Sequence, residues 1–141
     1  MSIDRGSLDV AHINERIAGT MAGFLGIKII EVSLDHVVAE LEIRTEIQNG
    51  GGVVHGGTLM AFADTTGAIA TVINLPPGAK TTTIESKTNF LAGGRSGVMR
   101  ATATPLHKGR RTMVWQTNIT DENGRLLSVT TQTQLVIPST T

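Results

Sequence analysis

Residues 57–74 form the longest apolar helical pattern in the chain and carry one acid, Asp64, near their centre. No lysine or arginine falls between Arg44 and Lys80. Eighteen helical residues span roughly 27 Å. Leu59, Met60, Phe62, Ala63, Ile69, Ala70, Val72 and Ile73 put apolar side chains around most of that rod. A helix apolar nearly all round must be covered by the rest of the protein. The remaining sequence should therefore supply a wrapping.

It reads mainly as strands. A short helix over 9–22 comes first, with Val10, Ile13, Ile17 and Met21 on one stripe and Asp9 as N-cap. Strands are expected over Gly26–Leu34 and Val37–Arg44. The second alternates cleanly, with Val37, Ala39, Leu41 and Ile43 on one face. Asp35-His36 suits the two-residue turn between them, which makes His36 a solvated turn residue rather than a ligand. After the long helix, Pro76-Pro77-Gly78 turns the chain. Four more strands follow, near 81–91, 97–106, 110–120 and 125–137, rich in Thr, Val and Ile. Asp121–Gly124 and Lys108-Gly109 read as tight turns, and Ala92–Gly94 as a looser one. Strands gathered around one long helix predict an α+β fold, a long central helix wrapped by a curved, mostly antiparallel six-stranded sheet.

The 141 residues suit a single domain over 1–141, with frayed tails at 1–8 and 138–141. A chain of this size buries about 70% of its unfolded surface, enough for a core without staples. The formal net charge is zero, which argues against a nucleic-acid partner. There is no cysteine, so no disulfide or thiolate zinc site, and no metal site is expected. The opening stretch MSIDRGSLDV lacks the apolar run of a signal peptide, and no segment suits a membrane span. A soluble, cytoplasmic protein without membrane contact is the expectation.

The chemistry centres on Asp64. A carboxylate among apolar neighbours is costly unless it is paired or hydrogen-bonded. Its own helical stripe holds Gly57, Met60, Gly67 and Thr71, small and mildly polar residues rather than the lysines and glutamates of a solvated face. That suits the wall of a narrow pocket. His55-Gly56-Gly57 lies where loop becomes helix, and free N–H groups at a helix start suit a developing oxyanion on a carbonyl or thioester. His55 either serves as general base or bonds backbone groups and shapes the turn; the second is expected. Asn49 adds an uncharged donor and acceptor to the loop.

The pattern Asn49-x5-His55-Gly56-Gly57-x6-Asp64 resembles the hotdog-fold acyl-CoA thioesterases, specifically the phenylacetate-degradation (PaaI-like) branch. The likeness extends over nearly the whole chain, through Phe24–Ile27, Thr83–Glu85, Asn89–Leu91, Gly109–Thr112 and the Asp121–Gly124 hairpin. It implies a hotdog fold and hydrolysis of a small aromatic or medium-chain acyl-CoA. It implies that Asp64 acts as nucleophile or as base toward water, that the Gly56 N–H polarises the thioester carbonyl, and that Asn49 positions substrate or water. His55 would order the turn, and Thr83 would assist water. A related branch carries Glu where this chain has Asp64, so that branch's substrates do not transfer. A proline often found soon after the Phe90-Leu91 pair is replaced by Ala92-Gly93-Gly94.

Gly57, Met60 and Phe90 are candidate substrate contacts. Coenzyme A, here part of the substrate rather than a cofactor, needs cations for its phosphates; Lys108, Arg110 and Arg111 supply a cluster on one turn, to which Arg95 would add. The same residues also suit a solvated hairpin tip. Trp115 reads as core rather than an adenine platform.

Gly56 and Asp64 are eight residues apart, about 12 Å along a helix. An oxyanion donor and a reacting carboxylate must both come within about 3 Å of one thioester group. One chain cannot supply both. Two antiparallel copies of the helix can, so a homodimer with composite sites is expected, within a dimer of dimers as the resemblance implies. Asn49 and Gly56 would come from one chain, Asp64 and Thr83 from the other. The alternatives are a hydratase or dehydratase of the same fold, or an acyl-CoA-binding protein without turnover.

Overall fold

The structure is a computed structural model and describes residues 9–140. Helices α1 (Val10–Ile17) and α2 (Met21–Leu25) precede strands β1 (Lys28–Val32) and β2 (Val37–Glu42). A single 3-10 turn over Thr45–Ile47 and a glycine loop lead into α3 (Gly56–Ile73). Strands β3 (Lys80–Phe90), β4 (Val98–Lys108), β5 (Thr112–Thr120) and β6 (Leu126–Ile137) complete the chain. The six strands form one sheet in the order β1-β2-β4-β5-β6-β3, and every neighbouring pair is antiparallel. α3 packs against β2 through β6.

The alternation read in β2 is real: Val37, Ala39, Leu41 and Ile43 are buried beneath α3, and Val38 is buried on the other face as well. Phe62, Ile29, Leu41, Met99 and Ile119 are fully buried. Each such side chain contributes about 1.5–3 kcal/mol relative to exposure. The part of the core bounded by β3 and β6 differs, because there the buried residues include Ser128, Thr130, Gln132 and Gln134. Trp115 is fully buried in the core.

Four local expectations need correction. The helix expected over 9–22 is two helices, broken at Ala18–Thr20. A Cβ on Gly23 would lie 2.1 Å from the Ala18 carbonyl oxygen, so the second helix folds back tightly on the first. The β1–β2 turn is centred on Leu34-Asp35, closed by Ser33 N–H donating to His36 O at 2.8 Å. His36 is not simply solvated: its Nε2 lies 2.7 Å from Glu31 Oε1 and its Nδ1 2.9 Å from Ser33 Oγ. β4 runs through Lys108, leaving Arg110-Arg111 at the tip of a turn closed by Gly109 N–H and Thr112 O.

The fourth concerns the rod. Sheet and helix meet along one side only, leaving Met60 at 39% and Val72 at 49% exposure on the other. Apolar side chains all round α3 are thus not all covered within one chain. α1 packs at the edge of the sheet instead. The Asn14 side-chain amide donates to Ile29 O at 2.9 Å and accepts from Ile29 N–H at 2.8 Å, filling part of the free edge of β1. The expected frayed tail at 1–8 lies outside the described residues. Residues 138–140 are exposed and have no regular structure.

Candidate active site

α3 begins one residue earlier than its pattern suggested, at Gly56, with His55 as N-cap. His55 Nδ1 accepts the Gly57 N–H at 2.8 Å, so the neutral ring carries its hydrogen on Nε2. His55 O accepts from Thr58 N–H and Leu59 N–H. Among the described residues the Gly56 N–H has no hydrogen-bond partner. It is an orphan donor at the positive end of an 18-residue helix. A Cβ on Gly56 would lie 3.2 Å from the Phe90 ring, so the end of β3 sets an exposed aromatic beside that donor. Asn49 shapes the preceding loop, its Oδ1 accepting from Gly51 N–H at 2.9 Å and Val53 N–H at 3.3 Å.

Two turns along the helix, Asp64 is half-buried where the covered side of α3 meets the open side. Its stripe is split: Gly57 and Met60 are exposed, whereas Gly67 and Thr71 are buried. Thr83 Oγ1 donates to Asp64 Oδ1 at 2.7 Å, and Gln132 Nε2 donates to the same oxygen at 3.0 Å. A bulge between Thr83 and Glu85 shapes this contact. Ile84 is left out of the pairing and stands 57% exposed, while Thr83 and Ser86 turn toward the helix. Behind Thr83, Gln134 Nε2 donates to its hydroxyl oxygen at 2.6 Å, and Thr81 Oγ1 donates to Gln134 Oε1 at 2.9 Å.

Gln132 and Gln134 do not stand out in the sequence, although Gln132 bonds the acid directly and Gln134 bonds the Thr83 hydroxyl that does. The available signal is the run Ser128, Thr130, Gln132, Gln134 at period two, polar on what proves to be the inner face. Gly67 is the matching element on the helix: a Cβ there would sit 2.1 Å from Gln132 Oε1.

The candidate sites are only partly brought together. Asp64 and Thr83 meet, and Asn49, His55, Gly56, Gly57 and Phe90 gather at the helix start. Both Gly56 and Asp64 lie on the one continuous helix, about 12 Å apart along its axis. The basic cluster is divided. Lys108 Nζ donates to Asp35 Oδ1 at 2.8 Å and to Leu34 O at 3.2 Å, at the far end of α3 from Gly56. Lys108 holds the Asp35 carboxyl below its usual range, first by that hydrogen bond and then by charge attraction, with His36 adding less. Arg110 and Arg111 are exposed on the adjoining turn. Arg95 is elsewhere, with Nη1 donating to Gly51 O at 3.3 Å beside the glycine loop. Among the described residues no helix is long and apolar enough to cross a membrane.

Residues 51–128, which include α3, the bulged strand and the turn at Arg110-Arg111, match the family described as the Thioesterase superfamily. The chain belongs to that family. Its fold is the hotdog thioesterase fold, and it is a thioester hydrolase. The 1,4-dihydroxy-2-naphthoyl-CoA hydrolase of Escherichia coli is 32% identical over 114 residues, covering 81% of this chain and 84% of that protein. A solved thioesterase from Haemophilus influenzae superposes with a TM-score of 0.90 at 30% identity, covering 94% of this chain and 93% of that one. The E. coli PaaI protein, from the phenylacetic acid degradation operon, superposes with a TM-score of 0.85 at 25% identity, with 98% of each chain covered.

Proposed function

We propose that this thioesterase hydrolyses acyl-CoA carrying a small aromatic or medium-chain acyl group, releasing the free acid and coenzyme A. The observation that carries the reading is Asp64. It is a half-buried acid at the open side of an apolar helix, with one carboxylate oxygen taking hydrogen bonds from Thr83 and Gln132. Exposed Met60 and Gly57 on the same stripe leave room beside it for an apolar acyl chain. The aromatic class draws support from the names of the two E. coli relatives and from Phe90, whose ring offers a stacking surface next to Gly56.

In this reading the thioester carbonyl oxygen accepts the Gly56 N–H, which stabilises the charge that develops there. Asp64 acts in one of two ways. As base, it takes a proton from a water whose oxygen attacks the carbonyl carbon. As nucleophile, it attacks that carbon itself, and water then cleaves the resulting anhydride. In both, the C–S bond breaks and its electron pair leaves on the CoA sulfur, which takes up a proton.

The helical rise between Gly56 and Asp64 supports a site shared by two copies, Gly56 and Asn49 from one and Asp64 and Thr83 from the other. The uncovered side of α3, with Met60 and Val72, gives such a partner an apolar surface to bury. A dimer of dimers belongs to the same proposal. Arg110 and Arg111 are the candidate phosphate contacts.

The test is thiol release from benzoyl-, phenylacetyl- and octanoyl-CoA by purified protein and by Asp64→Asn. The chain has no cysteine, so a thiol reagent sees no background from the enzyme. The proposal predicts release by the native protein that Asp64→Asn loses by at least about 100-fold. Equal release by both proteins, or none from any substrate, refutes it.

A further inference from the structure

We infer that the buried glutamines Gln132 and Gln134 position the Asp64 carboxylate, presenting Oδ2 as the oxygen that meets the substrate. The inference rests on Asp64 being the reacting acid.

Gln132 Nε2 lies 3.0 Å from Asp64 Oδ1 and 3.4 Å from the Asp64 carbonyl oxygen. Two acceptors on one end of the amide fix its orientation, because a flipped amide would press three oxygens together. Oε1 is then turned toward Gly67, buried and without a partner among the described residues. A buried unpaired acceptor is destabilising. A methionine of the same reach would fill the space without that penalty, so what the position uses is the donor. Gly67 points the same way from the helix. Glycine is a poor residue mid-helix, yet any Cβ at this position would collide with Gln132 Oε1 at 2.1 Å. Two departures from local preference serve one hydrogen bond to the acid.

Gln134 acts through Thr83, and the direction of its chain is set by chemistry. The Thr83 hydrogen is committed to Asp64 Oδ1, so the Thr83 oxygen must accept and the Gln134 NH2 faces it, while Gln134 Oε1 shares the Thr81 hydroxyl hydrogen with Leu135 O. The Thr83 oxygen accepts that donor at 2.6 Å, and its one hydrogen goes to Asp64 Oδ1. Every link points toward the carboxylate, and aligned links strengthen one another. Both donors thus end on Oδ1. Oδ2 has no protein partner among the described residues and is not sealed from solvent. Rotating the carboxylate would break both bonds. Gln132 and Gln134 are each 1% exposed, so they touch no substrate and are positioning residues.

The experiment measures kcat and KM for the native chain, Gln132→Met, Gln134→Met, Thr83→Val, Asp64→Asn and the double variant Thr83→Val/Gln134→Met. The substrate is whichever of benzoyl-, phenylacetyl- and octanoyl-CoA is turned over fastest. Each methionine variant should lose roughly 10- to 100-fold in kcat, the cost of a misplaced reacting group, with KM within about twofold. The double variant should fall no further than Thr83→Val, because Gln134 works through that hydroxyl. Native kcat in both methionine variants beside an inactive Asp64→Asn overturns the inference and leaves the hydrolase reading standing. An active Asp64→Asn overturns that reading instead. A rise in KM matching the fall in kcat, with melting lowered by more than about 8 °C in both variants, means a packing role alone and also overturns the inference. Should Gln132→Met fail to fold, Gln134→Met and its double variant decide.

Discussion

Thr83 Oγ1 donates to Asp64 Oδ1 across 2.7 Å, linking β3 to the middle of α3 over nineteen residues of chain. The hydroxyl reaches the acid because the bulge at Ile84 keeps Thr83 turned inward. Removing the hydroxyl while keeping the shape isolates its contribution. Thr83→Val should lower kcat by roughly 10- to 100-fold, at least as much as Gln134→Met, while Thr83→Ser, which keeps the donor, should lose less. Steady-state kinetics on the best acyl-CoA measures both. A valine variant as active as the serine variant means that the bond does not act in turnover.

The close fit of Gly67 to Gln132 gives a stability prediction. Gly67→Ala places a methyl 2.1 Å from Gln132 Oε1. Overpacking of this kind costs about 1–3 kcal/mol, against a gain of up to about 1 kcal/mol from replacing glycine mid-helix. Denaturant unfolding should show net destabilisation. In a Gln132→Ala background the clash is gone and the same substitution should become neutral or stabilising, a coupling that a double-mutant cycle reads directly. Purely additive effects would mean that the two residues do not meet as described.

Much of the fold is legible from residue types alone, because local rules and the final packing agree. Val37, Ala39, Leu41 and Ile43 alternate and are buried; Gly124 takes a φ of 84° in the Asp121–Gly124 turn. The break between α1 and α2 is not legible, since it depends on the close approach of Gly23 to the Ala18 carbonyl. At the site, Asp64 announces itself as an acid in an apolar helix. Gln132 and Gln134 do not. Serine, threonine and glutamine at alternate strand positions look the same whether they face water or helix, and only the packing of α3 on the sheet makes theirs the inner face. Lys108 shows the opposite gap: its charge fits a phosphate contact, but its pairing with Asp35, seventy-three residues away, is not legible in the sequence.

That ion pair gives a pH prediction with a definite sign. The Asp35 carboxyl titrates below its usual value in the folded chain because Lys108 bonds and attracts the charged form. A depressed folded pKa gives stability that is present above the unfolded value, about 3.9, and lost as pH falls through the folded one. Native protein should therefore melt above Asp35→Asn at pH 5–8, by a margin that closes toward acid and shrinks in high salt. Thermal melts at several pH values check this. A margin that does not shrink as pH falls below about 3.9 would point to a cause other than the charge. Activity should be unchanged in Asp35→Asn.

Arg110 and Arg111 are exposed cations at a turn tip, and Lys108 beside them is already paired. If they meet CoA phosphates, the Arg110→Ala/Arg111→Ala variant should raise KM several-fold with kcat little changed, as expected when uniform binding is lost. The effect should fade with added salt, because exposed charges are screened within about 10 Å at 0.1 M. An N-acetylcysteamine thioester, which lacks the phosphates, should show no difference between variant and native protein. Equal losses on both substrates would remove the two arginines from phosphate binding.

The shared site is tested by mixing two inactive proteins. Gly56→Pro removes the N–H at the helix start, where proline's fixed φ is tolerated, and Asp64→Asn removes the acid. If each site takes Gly56 from one chain and Asp64 from the other, a heterodimer carries one site with both defects and one with neither. Random re-pairing makes half the dimers mixed, so roughly a quarter of native activity should return. If each chain held its own complete site, every site in the mixture would keep one defect and no activity would return. Re-pairing is followed independently by mass, using a tagged copy of one partner. Mixed dimers that form yet stay inactive would sink the composite site. Activity that appears in step with the mixed species would establish that each site takes Gly56 from one chain and Asp64 from the other.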